Sequence, residues 1–237
     1  MKRILFIILA ISFSLSFCVF NFVDFISGNG NVKVESRQIS DFKSIEASNG
    51  LHVLITFGEP VSLEVEADEN LHEIIRTEVS SGVLRVYTDR NIRNATSKNI
   101  RITVPSIEEF EVSSAANIKC ENVLKVDRLD ISVSSAAELR LETEAKKVSI
   151  NASSSGSMEL RGEADEIDID VSSAGSVDAD KLLAKYCRVS ASSAGNTRVW
   201  VSEQLDAQAS SAGTIQYKGD PAGKKIDTSS AGSVSQR

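Results

Sequence analysis

Aromatic side chains make up only 5% of the 237 residues, so rings fill little of the interior. Val, Ile, Leu and Ala must supply the core, which suits pleated, stacked strands better than a bulky globular interior. Proline occurs three times and charged residues are 25% of the chain, which argues against a disordered polymer. No basic run follows Arg3, the formal charge is −7 and the pI is about 5.0. A chain without a Lys/Arg face lacks the electrostatic footprint of nucleic-acid binding. Histidine is scarce too, with His52 and His72 the two copies.

Hydrophobic residues are concentrated at the start. Met1-Lys2-Arg3 precede ILFIILAISFSLSFCVFNFV, uncharged from Ile4 to Val23, with Asp24 the first acid. A short basic head before an apolar stretch reads as an export signal. At about 20 residues the run also suits an uncleaved membrane anchor. Ser14 and Ser16 offer a cleavage site before Phe17. Leu15-Ser16-Phe17-Cys18 resembles a bacterial lipobox, but Phe17 stands where Gly, Ala or Ser is wanted, so signal or anchor takes precedence over lipidation at Cys18. Residues 1–26 are assigned to this signal peptide or anchor helix, and 27–237 to the folded domain.

What the chain has in abundance is one phrase. It reads SSAA at 113–116 and 134–137, SSSG at 153–156, and SSAG at 172–175, 192–195, 210–213 and 229–232. The steps are 21, 19, 19, 20, 18 and 19 residues, a solenoid period. Between the corners, Ile167, Ile169, Val171, Val177 and Ala179 alternate with Asp168, Asp170, Ser176 and Asp178. Period two means strand. Four residues before the first Ser stands a wholly polar column: Glu109, Asp130, Ser149, Asp168, Arg188, Asp206 and Lys225. The pattern predicts an all-β, single-stranded parallel β-helix of about 19–20 residues per coil, with coils stacked about 4.8 Å apart. Each coil is a strand, a tight SSxx corner, a second strand and a return.

The second serines, Ser114, Ser135, Ser154, Ser173, Ser193, Ser211 and Ser230, keep the inward phase of the alternation. They are expected to stack as a buried hydroxyl ladder, each satisfying the next. The fourth position holds Ala116 and Ala137, then Gly156, Gly175, Gly195, Gly213 and Gly232. Alanine there argues that cramped space, more than a positive φ, selects the residue. A nucleophilic serine would need a base within reach. Both histidines precede the repeats, and seven equal serines cannot be one catalytic residue, so no catalytic, cofactor-binding or metal-binding residue is assigned. Cys120 and Cys187 fall on the inward phase about three coils apart, as buried small hydrophobes that geometry keeps from pairing.

Residues 27–107 are less regular. FKSIEASNGLHVLITFG, VSLEVEAD, SSGVLRVYTD and KNIRITVP read as strands, and ENLHEIIRTEV as a short helix. FKSIEASNGLHVLI parallels EEFEVSSAANIKC, with Ser48-Asn49-Gly50 at the corner, so 27–107 are expected to be irregular coils capping the regular 108–237. The order of SGNGNVKVESRQISDFKSIEASNGLHVLITFG, VEADENLHEIIRTEVSSGVLRVY, IRITVPSIEEFEVSSAANI and the SSAG repeats resembles the "putative auto-transporter adhesin, head GIN domain" family of bacteria, common in Bacteroidetes, over about 30 to 237. The resemblance implies a right-handed parallel β-helix and an exported location (periplasm, outer membrane or cell surface) and carries no catalytic residues to transfer.

These readings lead to a non-enzymatic envelope protein presenting a rigid surface for adhesion or binding, with a glycan or protein ligand. A membrane tether through the N-terminus and weak end-to-end self-association go with it. The alternative is a carbohydrate-active enzyme working on acidic polysaccharide through outward carboxylates such as Asp168, Asp170, Asp178 and Asp180, for which Lys181 and Lys185 are thin basic support. A last candidate is the outward strip of first serines, Ser113, Ser134, Ser153, Ser172, Ser192, Ser210 and Ser229, flanked by Ala115, Ala136, Ser155, Ala174, Ala194, Ala212 and Ala231. It is flat, small and regularly spaced.

Overall fold

The computed structural model describes residues 25–237. The signal-or-anchor segment therefore falls almost wholly outside the described residues, as does Cys18. Phe25 and Ile26 already belong to a short strand, Phe25–Ser27, paired with Asn91–Asn94.

From Glu109 onward the chain winds as a parallel β-solenoid. Long strands such as Glu138–Ala152, Ser157–Val171 and Ser176–Ala191 each run from one SSxx corner to the next. Equivalent positions lie on one another: Glu138 on Ser157, Ser157 on Ser176, Ser176 on Asn196, Asn196 on Thr214 and Thr214 on Ser233. Every second residue faces in. Along one such column Leu129, Val148, Ile167, Cys187 and Leu205 are all buried, each over its counterpart in the next coil. The 5% of aromatic residues is thus enough. The column is narrow, and β-branched and leucine side chains fill it across adjacent coils. Cys187 is buried in this column, Cys120 is partly buried on the far side of the corner, and both are free thiols whose pKa burial pushes up.

The corners overturn the expected serine ladder. Ser114, Ser135, Ser154, Ser173, Ser193, Ser211 and Ser230 are exposed on the outside of the solenoid. In all seven corners the second and third residues have positive φ, from 47° at Ser230 to 62° at Ala231. Two successive left-handed residues swing the middle of the corner outward, then return the chain to the phase it left, so Val112 and Ala116 are both buried while Ser114 is not. A ladder is present, built of backbone. The third amide donates to the second serine's carbonyl in the next coil: Ala115 to Ser135, Ala136 to Ser154, Ser155 to Ser173 and Ala174 to Ser193, at 2.9–3.1 Å. The fourth amide closes the turn on the first carbonyl, as in Gly175 N–H to Ser172 O at 2.8 Å.

The fourth position is tight without positive φ, and buried in all but the last corner. A methyl group on Gly156 would stand 2.4 Å from the Val133 carbonyl oxygen, and on Gly213 2.2 Å from that of Ala191. Space selects the residue there, as the alanines at 116 and 137 imply.

The front end belongs to the same sheet but is not wound in sequence order. Ser44–Ala47 lies between Glu109–Val112 and Val83–Thr88, and His52–Phe57 lies between Asn117–Cys120 and Lys98–Val104, all parallel. Beyond that layer the pairing turns antiparallel: Ser62–Asp68 on Lys98–Val104, Val32–Arg37 on Ser62–Asp68, and Ile75–Ser80 on Val83–Thr88. The helix expected in ENLHEIIRTEV shrinks to a single 3₁₀ turn, Glu69–Leu71, because Ile75, Thr77 and Val79 resume a period of two. Buried polar groups hold this end. His72 Nε2 lies 3.2 Å from both the Lys33 and Ala67 carbonyl oxygens, and its Nδ1 is 3.1 Å from Glu35 without hydrogen-bond alignment. Asp68, fully buried, accepts the Thr96 amide at 2.9 Å.

Candidate binding surfaces

The strip expected of first serines is displaced by the same corner geometry. Ser113, Ser134, Ser153, Ser172, Ser192 and Ser210 are half-buried and Ser229 exposed, while the outermost line is formed by the second and third residues. The exposed strip is therefore six Ser-Ala pairs and the Ser154–Ser155 pair in left-handed conformation, stacked coil on coil by the backbone ladder.

The outward carboxylates are separated by the corner at 172–175, with Asp168 and Asp170 on the strand that enters it and Asp178 and Asp180 on the strand that leaves. Three of them face cations of neighbouring coils. Asp168 lies 3.5 Å from Arg188, Asp178 2.6 Å from Arg198, and Asp180 2.6 Å from Lys218, two coils away. The Lys218 hydrogen bond holds Asp180 below the usual carboxylate range. Glu159 is held low in the same way, chiefly by Arg161. Carboxylates with lowered pKa values are ionised partners in charge ladders. A general acid needs the opposite shift. Of the two lysines, Lys185 is taken by Asp165 at 2.6 Å.

The return segments form a third surface, whose aromatic residue the alternation does not single out. Outward positions on them run Lys125, Glu144, Glu163, Leu183 and Trp200 from coil to coil. Leu183 and Trp200 are register partners where the chain slips: Ala179 pairs Val199 and Leu183 pairs Trp200, so Asp180–Leu182 have no counterparts in the following coil. The slip brings an apolar pair to an otherwise charged face. Between Glu109 and Lys218, the exposed large hydrophobic side chains are Leu183, at 42%, and Tyr186, at 45%, both on this return. Beside Leu183 lies a hollow of about 310 Å³ with Ala145, Ala164 and Ala184 among its walls, Trp200 and Leu183 along it, and Glu144, Glu163, Asp165 and Lys185 about it; Tyr186 is not among its lining residues. Asp165 raises the Lys185 pKa and Glu203 that of Tyr186, each through a hydrogen bond. The signal in the sequence was Trp200 itself, the single tryptophan, on an outward position between inward Val199 and Val201.

A larger hollow, about 800 Å³, opens at the front end beside Phe42, Val61, Val104 and Pro105. There the short loops 58–61 and 105–108 stand in place of a return strand.

No curated protein matches the chain. Solved structures share its fold. A putative adhesin from Bacteroides fragilis superposes with a TM-score of 0.82 at 21% identity, covering 90% of this chain and 100% of that one. One from Parabacteroides merdae gives 0.72 at 22% identity over 90% and 99%. A protein titled a putative lipid binding protein, from Parabacteroides distasonis, gives 0.68 at 24% identity over 90% and 100%. The family described as "Putative auto-transporter adhesin, head GIN domain" matches residues 41–221, which span most of the front layers, though not Val32–Arg37, and six of the seven SSxx corners, and the chain belongs to that family.

Proposed function

We propose that this protein is an exported, non-enzymatic component of a bacterial cell envelope that presents a rigid β-helix as a surface for adhesion or binding. Its membership of a family described as adhesins carries the reading. The apolar run Ile4–Val23, preceded by Lys2 and Arg3, supports export or tethering at the membrane. Outward acids engaged in ion pairs suit a persistent surface better than acid–base turnover of a polymer.

The test is deletion and complementation of the gene, with attachment to glycan- and protein-coated surfaces as the readout. Reduced attachment with normal growth, restored by the intact chain, is the expected result. Release of oligomers when the purified protein is incubated with uronic-acid polymers would overturn the reading in favour of an enzyme.

A further inference from the structure

We infer that the hollow around Trp200 and Leu183 is a saccharide subsite for a neutral or amine-bearing ring, with uronates excluded. The inference rests on the binding role proposed above and gives it a place and a ligand class.

Exposed apolar groups need an explanation when they gather. On the regular coils the exposed Leu183 meets the half-buried Trp200 here, brought into register by Asp180–Leu182, which have no partners in the following coil. The hollow, about 310 Å³, is at the small end of the range of ligand sites and open on one side, which suits the end of an oligosaccharide better than a peptide. An indole offers a flat, polarisable face to the C–H side of a sugar ring, and alanines leave room for the ring to approach. Hydroxyl groups on the ring's edge then meet carboxylates, the strongest neutral-donor acceptors a protein supplies.

The charges choose among sugars. Lys185 is paired with Asp165 and Glu144 with Lys125, while Glu163 has no cation partner among the described residues. The lining is thus net negative. A neutral ring loses nothing to it, an ammonium group gains, and a uronate is repelled.

The full chain, purified in mild detergent, provides its own probe, because Trp200 is the one tryptophan and its emission reports this site alone. Titration with neutral hexose and N-acetylhexosamine oligomers and with glucosamine tetramer should give a saturable emission shift, and tetragalacturonate none. By calorimetry, Trp200→Ala should weaken the binding about tenfold in a chain that still unfolds cooperatively, at a modestly lowered midpoint. Glu163→Lys keeps the indole and should reverse the preference, admitting tetragalacturonate at the expense of glucosamine tetramer. Equal binding by Trp200→Ala, tighter binding of tetragalacturonate to the unaltered chain, or silence from every oligomer would each overturn the subsite. The adhesion reading fails separately. If deletion of the gene abolishes attachment while the Trp200→Ala chain restores it fully, the binding role stands and this site is the wrong one.

Discussion

Two corners of the same solenoid solve one geometric problem with opposite residues. At 48–51, in the front end, the left-handed positions are Asn49 and Gly50, with φ of 59° and 66°, and the fourth position is Leu51, fully buried. At 172–175 the left-handed positions are Ser173 and Ala174, with nearly the same φ, and the fourth position is Gly175. Both join the ladder: Gly50 donates to Ser114 O at 2.8 Å, and Ala174 to Ser193 O at 3.0 Å. The front corner places its permissive residues where the backbone is strained. The regular corners place alanine and serine there, and the last five keep glycine for the one slot that is crowded, which Ala116 and Ala137 fill in the first two. The layer beneath decides. The strands under the front corner, Val83–Thr88 and Lys98–Val104, are joined by residues 89–97, with no four-residue turn stacked below. Each of the last five corners sits on another corner, and the carbonyl oxygen of the residue just before that corner would stand 2.2–2.7 Å from a Cβ at the fourth position. In the glycine corners clearance outranks dihedral preference, because an added Cβ would meet backbone that cannot move away without breaking the register.

The sharpest way to break the comparison is therefore at the fourth position. Gly213→Val should destabilise by about 3 kcal/mol, at the upper end of overpacking costs, because the nearest atoms to its Cβ are backbone: Ala191 O at 2.2 Å and Ser192 N at 2.9 Å. Gly213→Ala should cost about 1 kcal/mol, since Ala116 and Ala137 occupy the equivalent slot. Denaturant midpoints of the two variants read the difference. Equal, negligible losses would show that the stacking distance is soft.

How the two regions depend on acid separates them further. Glu66, at the front end, gathers Arg101 at 3.0 Å, the Ser97 hydroxyl at 2.8 Å and Asn99 at 3.1 Å. Arg101 first, then Ser97 and Asn99, hold its carboxyl below the ordinary range. With the native pKa depressed, the stabilisation is complete above the unfolded carboxylate range near pH 4 and is lost as the pH falls through the native value. With a quarter of the side chain exposed, about 1 kcal/mol is the expected size. The ion pairs of the regular coils are scattered over the outward columns, and apart from Asp180–Lys218 most are between more exposed groups, where each contributes less. Hydrogen exchange at pH 6 and pH 3 should show Ser62–Asp68 and Lys98–Val104 opening in acid before the strands from Glu138 to Ala191. Glu66→Gln should give the acid pattern already at pH 6. Uniform opening would place the acid sensitivity elsewhere.

The regular coils were legible because the seven SSxx phrases recur at register spacing and every flanking column is either polar or apolar. Their corners were not. Two left-handed residues in a row restore the parity of the alternation, so Val112, Ser114 and Ala116 look alike on a period-two count although the middle one is turned out. The spatial order of the front layers was hidden for another reason. Ser44–Ala47 and Glu109–Val112 read as successive coils, and they do stack, but the intervening residues wind back beneath the first to form Val83–Thr88 and Lys98–Val104. Local periodicity carries no trace of that reversal. The exposed patch was half legible. Trp200 is the single tryptophan but was not singled out by the alternation, and its pairing with Leu183 depends on a slip in register that needs two coils side by side.

The smallest effect is the one that fixes the sign of the argument. If serine is strained at the second position, Ser173→Gly should stabilise. Relief of left-handed strain is about 1–2 kcal/mol, and the extra freedom of glycine in the unfolded chain takes back about 0.5–1 kcal/mol. The expected gain is thus about 0.5 kcal/mol, and the exposed hydroxyl is no buried partner whose loss would offset it. The mirror change at the front corner, Gly50→Ala, should lose about 1 kcal/mol. There φ is +66°, and the added methyl would stand 3.2 Å from Lys98 Nζ, a flexible end that can yield, so the cost is conformational. Opposite signs in the two unfolding midpoints would show that the corners share one backbone and differ only in which slot the stacking lets glycine occupy. A loss in Ser173→Gly would mean that the serine hydroxyl contributes to the folded corner after all, and the strip of exposed serines would then have a structural role.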